Sequence, residues 1–365
     1  MKVLFIAPLP PPTHGQSLAS DVLYQRLRQG NDVRVVNMAE RPARHLWDRL
    51  RRVATVLSFM AGVLRKKRGV DVIYLTISES LLGNLKDLCI YVLCLGRLDR
   101  MFIHLLGGAG IRRILEGRGL RYRLNRFFIS RLAGVIVEGP TQAAIFAGLI
   151  DEDKIHVIPN FAEDFLFVTE QEVRQKFDDT RVLRILFLSN LYHGKGHHEL
   201  VEAYLRLPSD LRQRMSIAFV GGFESSRLRE EFLRRIDGQA GLFYRGTFIG
   251  GLDKKELYGQ THVFCLPTYY PYEGQPISIL EAYATGCAVI TTAHSGIPDV
   301  FRDGVNGYVV QAQSSEAIRQ VLEKIARDPR PLVTMALTNR DMASERFRTE
   351  TYQSSLTRIL ERRVG

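Results

Sequence analysis

The run Val263-Phe264-Cys265-Leu266-Pro267 is followed by an aromatic loop that ends in Glu273-Gly274-Gln275-Pro276. Next come Ile277-Ser278-Ile279-Leu280-Glu281-Ala282-Tyr283-Ala284-Thr285-Gly286 and then the apolar run Ala288-Val289-Ile290-Thr291-Thr292. The two flanking runs are short and apolar throughout, as strands covered on both faces are. Pro276 stands where a first helical residue belongs, since its missing N–H is one that a helix start leaves unpaired anyway. Gly286 stands where the chain must leave the helix. Strand, helix and strand in immediate succession form a crossover unit, which pairs its strands in parallel. The helix amino end then follows a strand carboxyl end, the edge at which open α/β sheets bind ligands.

The same alternation extends in both directions. Lys2 to Ala7 reads as a buried first strand, and Gln16 to Gln29 as a helix closed by Gly30. Further strands are expected at Val33–Met38, Val70–Leu75, Met101–Leu106, Val135–Glu138 and His156–Ile158. After the polar stretch Ala162–Asp179 a second series opens with Ile185–Ser189. It continues through Ser216–Val220, Leu242–Tyr244, Val263–Leu266, Ala288–Thr292 and Gly307–Val310. A chain of 365 residues exceeds what one core organises. The expected architecture is therefore α/β, two doubly wound Rossmann-like domains in series with a ligand cleft between them. The first covers 1–165, the second 166–345, and a terminal helix over 346–365 is expected to pack back on the first.

Composition narrows the class. With 45% hydrophobic and 24% charged residues the chain is globular, not disordered. The opening apolar run is too short for a secretory leader and runs into Pro8, Pro10, Pro11 and Pro12 without a cleavage site. Neither Val53–Val63 nor Leu88–Gly96 approaches the roughly 20 residues of a spanning helix. Cys89, Cys94, Cys265 and Cys287 lack metal-ligand spacing and read as reduced core residues of a cytoplasmic protein. The net charge of +11 is concentrated in the first half. Arg41, Arg44, Arg49, Arg51, Arg52, Arg65, Lys66, Lys67 and Arg68 flank Leu46, Trp47, Val53, Val56, Leu57, Phe59 and Met60. That composition suits a helix lying on an anionic membrane; it equally suits a solvated helix whose apolar stripe packs on its own domain. A second cluster comprises Arg112, Arg113, Arg118, Arg121, Arg123, Arg126 and Arg131. Neither cluster belongs to a recognisable nucleic-acid module, so no nucleic-acid partner is expected.

Candidate chemistry gathers around the helix start. Backbone N–H groups at that end suit a diphosphate or sugar hydroxyls. Glu273 and Glu281 flank it, although Ser278 and Glu281 also fit a Ser-x-x-Glu capping box that would make Glu281 structural. Lys195, in Gly194-Lys195-Gly196 after the Ile185–Ser189 strand, can face the same edge or be an ordinary exposed lysine. Gly15, in Thr13-His14-Gly15-Gln16, is a turn into a helix. His104 ends an apolar strand, where a satisfied core histidine is common. Gly107-Gly108-Ala109-Gly110 does not complete a dinucleotide fingerprint, so no NAD is expected. Asp151-Glu152-Asp153 formally fits a metal-holding Asp-x-Asp but sits in a polar turn away from these motifs, and it reads as solvated.

Glu273 to Glu281 resembles the E-x7-E motif of retaining GT-B glycosyltransferases, the glycosyl transferases group 1 (glycosyltransferase family 4). The segment Glu281-Ala282-Tyr283-Ala284-Thr285-Gly286-Cys287-Ala288-Val289-Ile290 is similar to the family's EAMA-x-G-x-PVI. The resemblance extends through Gly296-Ile297-Pro298-Asp299 and Asp303-Gly304-Val305-Asn306-Gly307, and back through His156-Val157-Ile158-Pro159-Asn160. It implies the GT-B fold and transfer of a hexose-type sugar from a UDP- or GDP-sugar with retention and without a metal or other cofactor. It also implies roles: Glu273 on the transferred sugar, Glu281 on the ribose, Lys195 on the diphosphate, Gly15 approaching the phosphate, and His104 beside the sugar. Gln275, Pro276, Ile277 and Ser278 complete the donor loop. Two departures stand out. The family's usual arginine five residues before the lysine is Asn190 here, and the loop reads Glu273-Gly274-Gln275-Pro276 instead of E-x-F-G.

The implied mechanism is front-face substitution, with a covalent intermediate on Glu273 as the alternative. The basic first domain points to a glycan or polyprenyl-diphosphate-linked acceptor at the inner face of the plasma membrane, as in O-antigen or other cell-surface polysaccharide synthesis. Rival readings are a nucleotide-sugar epimerase or phosphorylase of the same fold, or a non-catalytic basic binding protein.

Overall fold

The computed structural model describes residues 1–39, 46–247 and 251–362. The chain divides into two compact units, Met1–Asn160 with Glu350–Gly365, and Phe161–Thr349.

In the first unit the order is β1 (Lys2–Ala7), α1 (Gly15–Leu27), β2 (Asp32–Asn37), α2 (Leu46–Lys66), β3 (Val72–Thr76), α3 (Leu81–Leu93) and β4 (Met101–Leu105). It continues with α4 (Ala109–Leu115), α5 (Leu120–Ile129), β5 (Gly134–Val137), α6 (Pro140–Phe146) and β6 (Ile155–Val157). The six strands pair in parallel in the order β2-β1-β3-β4-β5-β6. β3, β4 and β5 are buried at every residue, which explains their unbroken apolar reading.

The second unit runs α7 (Glu170–Lys176), β7 (Leu183–Leu188), α8 (His197–Leu205), α9 (Ser209–Arg212), β8 (Met215–Val220), α10 (Ser226–Ile236) and β9 (Leu242–Tyr244). Then follow α11 (Gly251–Gly259), β10 (Val263–Leu266), α12 (Ile277–Ala284), β11 (Ala288–Thr291), β12 (Gly307–Val309), α13 (Ser315–Arg327) and α14 (Arg330–Arg346). Its sheet order is β12-β11-β10-β7-β8-β9, all parallel. The order reverses between β7 and β10, so the loops leaving these neighbours diverge to opposite sides and open a crevice at their carboxyl ends. A core of buried side chains, among them Phe187, Phe219, Phe264 and Tyr283, covers both faces of the sheet.

A last helix, α15 (Thr349–Glu361), closes the chain. Tyr352 Oη reaches Ala19 O at 3.5 Å and Gln353 Nε2 donates to Val22 O at 2.9 Å, which fastens α15 to α1 of the first unit.

Several expectations need correction. Residues 161–165 belong to the second unit, not the first, because Ala162 N donates to Phe347 O at 2.8 Å and Phe161 and Ala162 are wholly buried. The second unit likewise extends past 345 to Thr349. Cys94, Cys265 and Cys287 are buried, but Cys89 is exposed on α3. Of the first basic cluster, Arg41 and Arg44 and the side chains of Arg49, Arg51 and Arg52 lie outside the described residues. On the rest of α2, Phe59 and Val63 are buried in the core of their own unit, while Leu57 and Leu64 face outward. Among the described residues no helix is long and apolar enough to cross a membrane.

Candidate active site

The crevice of the second unit is built from two loops. The loop after β7 carries Asn190 and Lys195; the loop after β10 carries Thr268, Tyr270 and Glu273. Lys195 Nζ donates to Glu273 Oε2 at 2.8 Å and Oε1 at 3.1 Å. Thr268 Oγ1 donates to Glu273 Oε2 at 2.7 Å, and the Tyr270 ring lies 4.7 Å from Lys195 Nζ. Both charged side chains are mostly withdrawn from solvent, at 13% and 10% exposure. A carboxylate and an ammonium this close and this dry are more than a surface pair. The two residues singled out for their positions after separate strands thus meet at the sheet's reversal point. Burial, with the Glu273 charge adding to it, pushes the Tyr270 hydroxyl up to about 12, so that it stays protonated.

Backbone bonds hold the loops together. Tyr269 N donates to Gly194 O at 2.6 Å, Ser295 Oγ to Glu273 O at 2.6 Å, and Glu273 N to Tyr270 O at 3.1 Å. Gly196 makes the close approach possible: its φ is +89°, and a Cβ there would stand 2.4 Å from Pro267 O. A Gly196→Ala variant is expected to lose about 2 kcal/mol or more of stability, seen as a lower denaturant midpoint.

α12 starts beside this pair. Pro276 is its N-cap and not its first helical residue, and Ile277 takes that place. The capping-box reading of Ser278 and Glu281 fails for the same reason: Ser278 is already inside the helix. The first-turn N–H groups of Ile277 and Ser278 precede any intrahelical carbonyl partner. Gln275 is buried, as are Pro276 and Ile277. Gly286, at φ +63°, closes the helix with its N–H on Tyr283 O at 2.8 Å.

Glu281 is 2% exposed. Lys254 Nζ pairs with its Oε1, Tyr258 Oη donates to Oε2 at 3.2 Å, and Lys254 also pairs with Glu163 at 2.7 Å. Burial raises the Glu281 pKa against the opposing pull of Lys254. Burial works against the Lys254 charge, but Glu281 and Glu163 outweigh it and raise its pKa. Sequence reasoning missed Lys254, Glu163 and Thr268. Lys254 sits in an unremarkable charge run, and nothing local signals that α11 delivers it to Glu281. Asn190 follows β7 by two residues and is half-buried with Oδ1 beside Gly222.

The other expected residues lie in the first unit. Gly15 is the first residue of α1, exposed, behind an N-cap in which Ser17 N donates to His14 Nδ1 at 3.2 Å. His104 is fully buried on β4 with Nδ1 2.6 Å from Tyr74 Oη, while Nε2 has no partner among the described residues. Burial lowers its pKa to about 3, so the ring is neutral. The linkage sign follows: the unfolded ring protonates near 6.5 and the folded one near 3, so its stabilisation is complete above pH 6.5 and is lost as the pH falls toward 3. A His104→Gln variant is therefore expected to lose less stability than the parent between pH 7 and pH 5, measured by urea unfolding. Asp151 pairs with Lys154 at 2.7 Å in an exposed turn.

Residues 168–342 match the family Glycosyl transferases group 1. An uncharacterised glycosyltransferase of Methanocaldococcus jannaschii is 24% identical over 225 residues, 60% of this chain and 53% of that protein. A GDP-mannose-dependent alpha-(1-6)-phosphatidylinositol monomannoside mannosyltransferase of Mycolicibacterium smegmatis is 29% identical over 190 residues, 49% of this chain and 48% of that protein. The chain thus spans about half the length of these curated relatives. The Anabaena protein HepE, solved with UDP and glucose, superposes with a TM-score of 0.74 at 17% identity over 99% of both chains. That likeness, with two parallel six-stranded sheets, identifies the fold as GT-B.

Proposed function

We propose, from the match of residues 168–342 to glycosyl transferases group 1, that this protein is a retaining glycosyltransferase of family 4. It moves a hexose-type sugar from a UDP- or GDP-sugar to a glycan acceptor. The observation that carries the reading is the Lys195–Glu273 pair at the β7/β10 reversal point, beside the amino end of α12. An ammonium and an N-terminal helix dipole suit a diphosphate. A carboxylate held by Thr268 suits sugar hydroxyls.

In this proposal Lys195 stabilises the negative charge that builds on the departing diphosphate, the role other enzymes give to a metal. Glu273 exchanges its hold on Nζ for hydroxyls of the transferred sugar and fixes the anomeric carbon for front-face attack, while the leaving phosphate accepts the acceptor's proton. Glu281 contacts the ribose only if one of its oxygens exchanges Lys254 for a ribose hydroxyl. Gly15 is proposed to approach the donor phosphate and His104 to lie beside the transferred sugar. Asn190 in place of an arginine leaves Lys195 as the principal cation of the β7 loop.

The acceptor is lipid-linked, at an anionic membrane facing the cytoplasm, in cell-surface polysaccharide synthesis. Support comes from the relatives: the mycobacterial enzyme is named for GDP-mannose and a phosphatidylinositol acceptor, and a Salmonella relative for colanic acid. A panel of nucleotide sugars tests the reading. One donor should raise the melting temperature and be turned over slowly with EDTA present, and the product anomer, assigned by NMR, should match the donor's. Interconversion of the donor sugar without acceptor would make the protein an epimerase.

A further inference from the structure

Helix α3 buries Leu88, Ile90 and Tyr91 in the core of its unit but shows a second apolar face to solvent. A surface helix of a soluble protein buries its apolar stripe and shows its polar face, but α3 turns Asn84 and Asp87 inward, at 2% and 1% exposure. Leu81, Leu82, Leu85 and Val92 are outward, at 59%, 81%, 55% and 58%. The inward polar groups are tied to their surroundings, although Asp87 Oδ1 has no hydrogen bond among the described residues and lies 3.8 Å from Lys86 Nζ. Asn84 and Asn125 exchange hydrogen bonds at 2.9 and 3.1 Å, and Asp87 accepts from Ser78 N at 2.7 Å.

Asn125 belongs to α5, so the amide pair fixes α5 beside α3. Tyr91 and Phe128 add a ring contact at 5.5 Å. α5 repeats the pattern: Leu120, Leu124 and Phe127 recur at helical spacing and are 74%, 39% and 45% exposed. Two adjacent helices thus turn apolar stripes to solvent, which a solvated surface has no reason to keep.

The charge around these stripes selects the occupant. Arg118, Arg121, Arg123 and Arg126 are exposed and have no carboxylate partner among the described residues. Arg131 lies with its guanidinium 3.8 Å from the centre of the Phe127 ring. Arg118, Arg123, Arg126 and Arg131 line an open hollow of about 490 Å³. Leucine tips between arginines match a bilayer whose headgroups carry phosphate and whose interior is apolar. A second copy of the chain fits poorly, because a two-fold axis through this face would set arginines against arginines.

We propose that the outward faces of α3 and α5 form a docking surface for an anionic lipid bilayer, with Leu82 and Leu120 entering the acyl boundary and the α5 arginines meeting headgroup phosphates. The inference rests on the membrane-linked reading above for its biological sense, and it relocates the contact from α2 to α3 and α5.

The test is co-sedimentation of the full chain with phosphatidylcholine vesicles, with and without phosphatidylglycerol, in the absence of any sugar nucleotide. Phosphatidylglycerol should strengthen binding roughly tenfold or more, and added salt should reverse this. Leu82→Glu combined with Leu120→Glu should cut binding roughly tenfold or more while the circular dichroism and melting temperature stay as in the parent. Arg121→Glu with Arg123→Glu should remove the phosphatidylglycerol dependence. Equal binding to both vesicle types, or leucine variants that bind as the parent does, would overturn the proposal. So would self-association without lipid that the leucine variants abolish, because the face would then belong to a second copy. Lack of turnover with every donor would sink the transferase reading and leave this result standing.

Discussion

Glu273→Gln is expected to abolish measurable sugar transfer, with kcat down roughly a hundredfold to a thousandfold or more, while the protein stays folded. The substitution keeps the shape and removes the charge. Thr268 and Lys195 can still reach the amide oxygen, and the side chain stays among the same neighbours. Only the ability to bind sugar hydroxyls as a carboxylate, and to stabilise positive charge at the anomeric carbon, is lost. Lys195→Ala should be of similar size and should also weaken nucleotide binding, because in the proposed mechanism the ammonium acts on the diphosphate in both ground and transition states. A nucleophilic role for Glu273 predicts a trapped glycosyl adduct with slow donors; front-face transfer predicts none. Loss of kcat with an unchanged unfolding curve separates both from a structural role.

The second large effect lies at Lys254. Its substitution by alanine strands Glu281, which is 2% exposed, without a cation. Breaking a buried ion pair on one side costs about 3–5 kcal/mol, which for a domain of this size lowers the melting temperature by roughly 10 °C. Lys254→Ala combined with Glu281→Gln should recover about half of the loss or more, since the orphaned charge is gone and Tyr258 can still donate to the amide oxygen. The pH dependence carries a sign. The folded Glu281 pKa is raised above 4.5, and without Lys254 it rises further. The penalty is therefore full above the folded value and is relieved as the pH falls toward 4.5. Unfolding at pH 8 and pH 5 would show the variant gaining on the parent at the lower pH. A parent-like melting temperature would mean that Tyr258 alone suffices to hold Glu281 beside the like charge of Glu163.

Most of the second unit could be read from its residues because each local signal agreed with its neighbour. Leu242–Tyr244 and Val263–Leu266 fall on the expected positions, and Gly286 ends α12 as its place after Thr285 implied. Buried parallel strands announce themselves as unbroken apolar runs, so the alternation of elements carried both sheets. What failed was geometry that depends on distant chain. Pro276 looked like a first helical residue, yet Glu273 and Ser295 hold the loop so that it becomes the cap. Ser278 and Glu281 had capping-box spacing, but a helix starting at Ile277 puts the serine inside it. Lys254 came from another helix altogether.

The first unit misled in a different way. α3 was expected to hold core cysteines, because its sequence is apolar. The structure turns Cys89 outward with the leucines and buries Asn84 and Asp87 beside Leu88, Ile90 and Tyr91. An apolar helix sequence does not say which face looks inward when the core supplies polar partners such as Asn125.

In the proposed function the Lys195–Glu273 pair holds a nucleotide diphosphate. Calorimetric titration of the full chain with UDP and with GDP, in EDTA, reads this out. One of the two should bind saturably, with affinity lowered roughly tenfold or more by Lys195→Ala while the variant stays folded. Binding of neither nucleotide, or equal affinity in parent and variant, would contradict it.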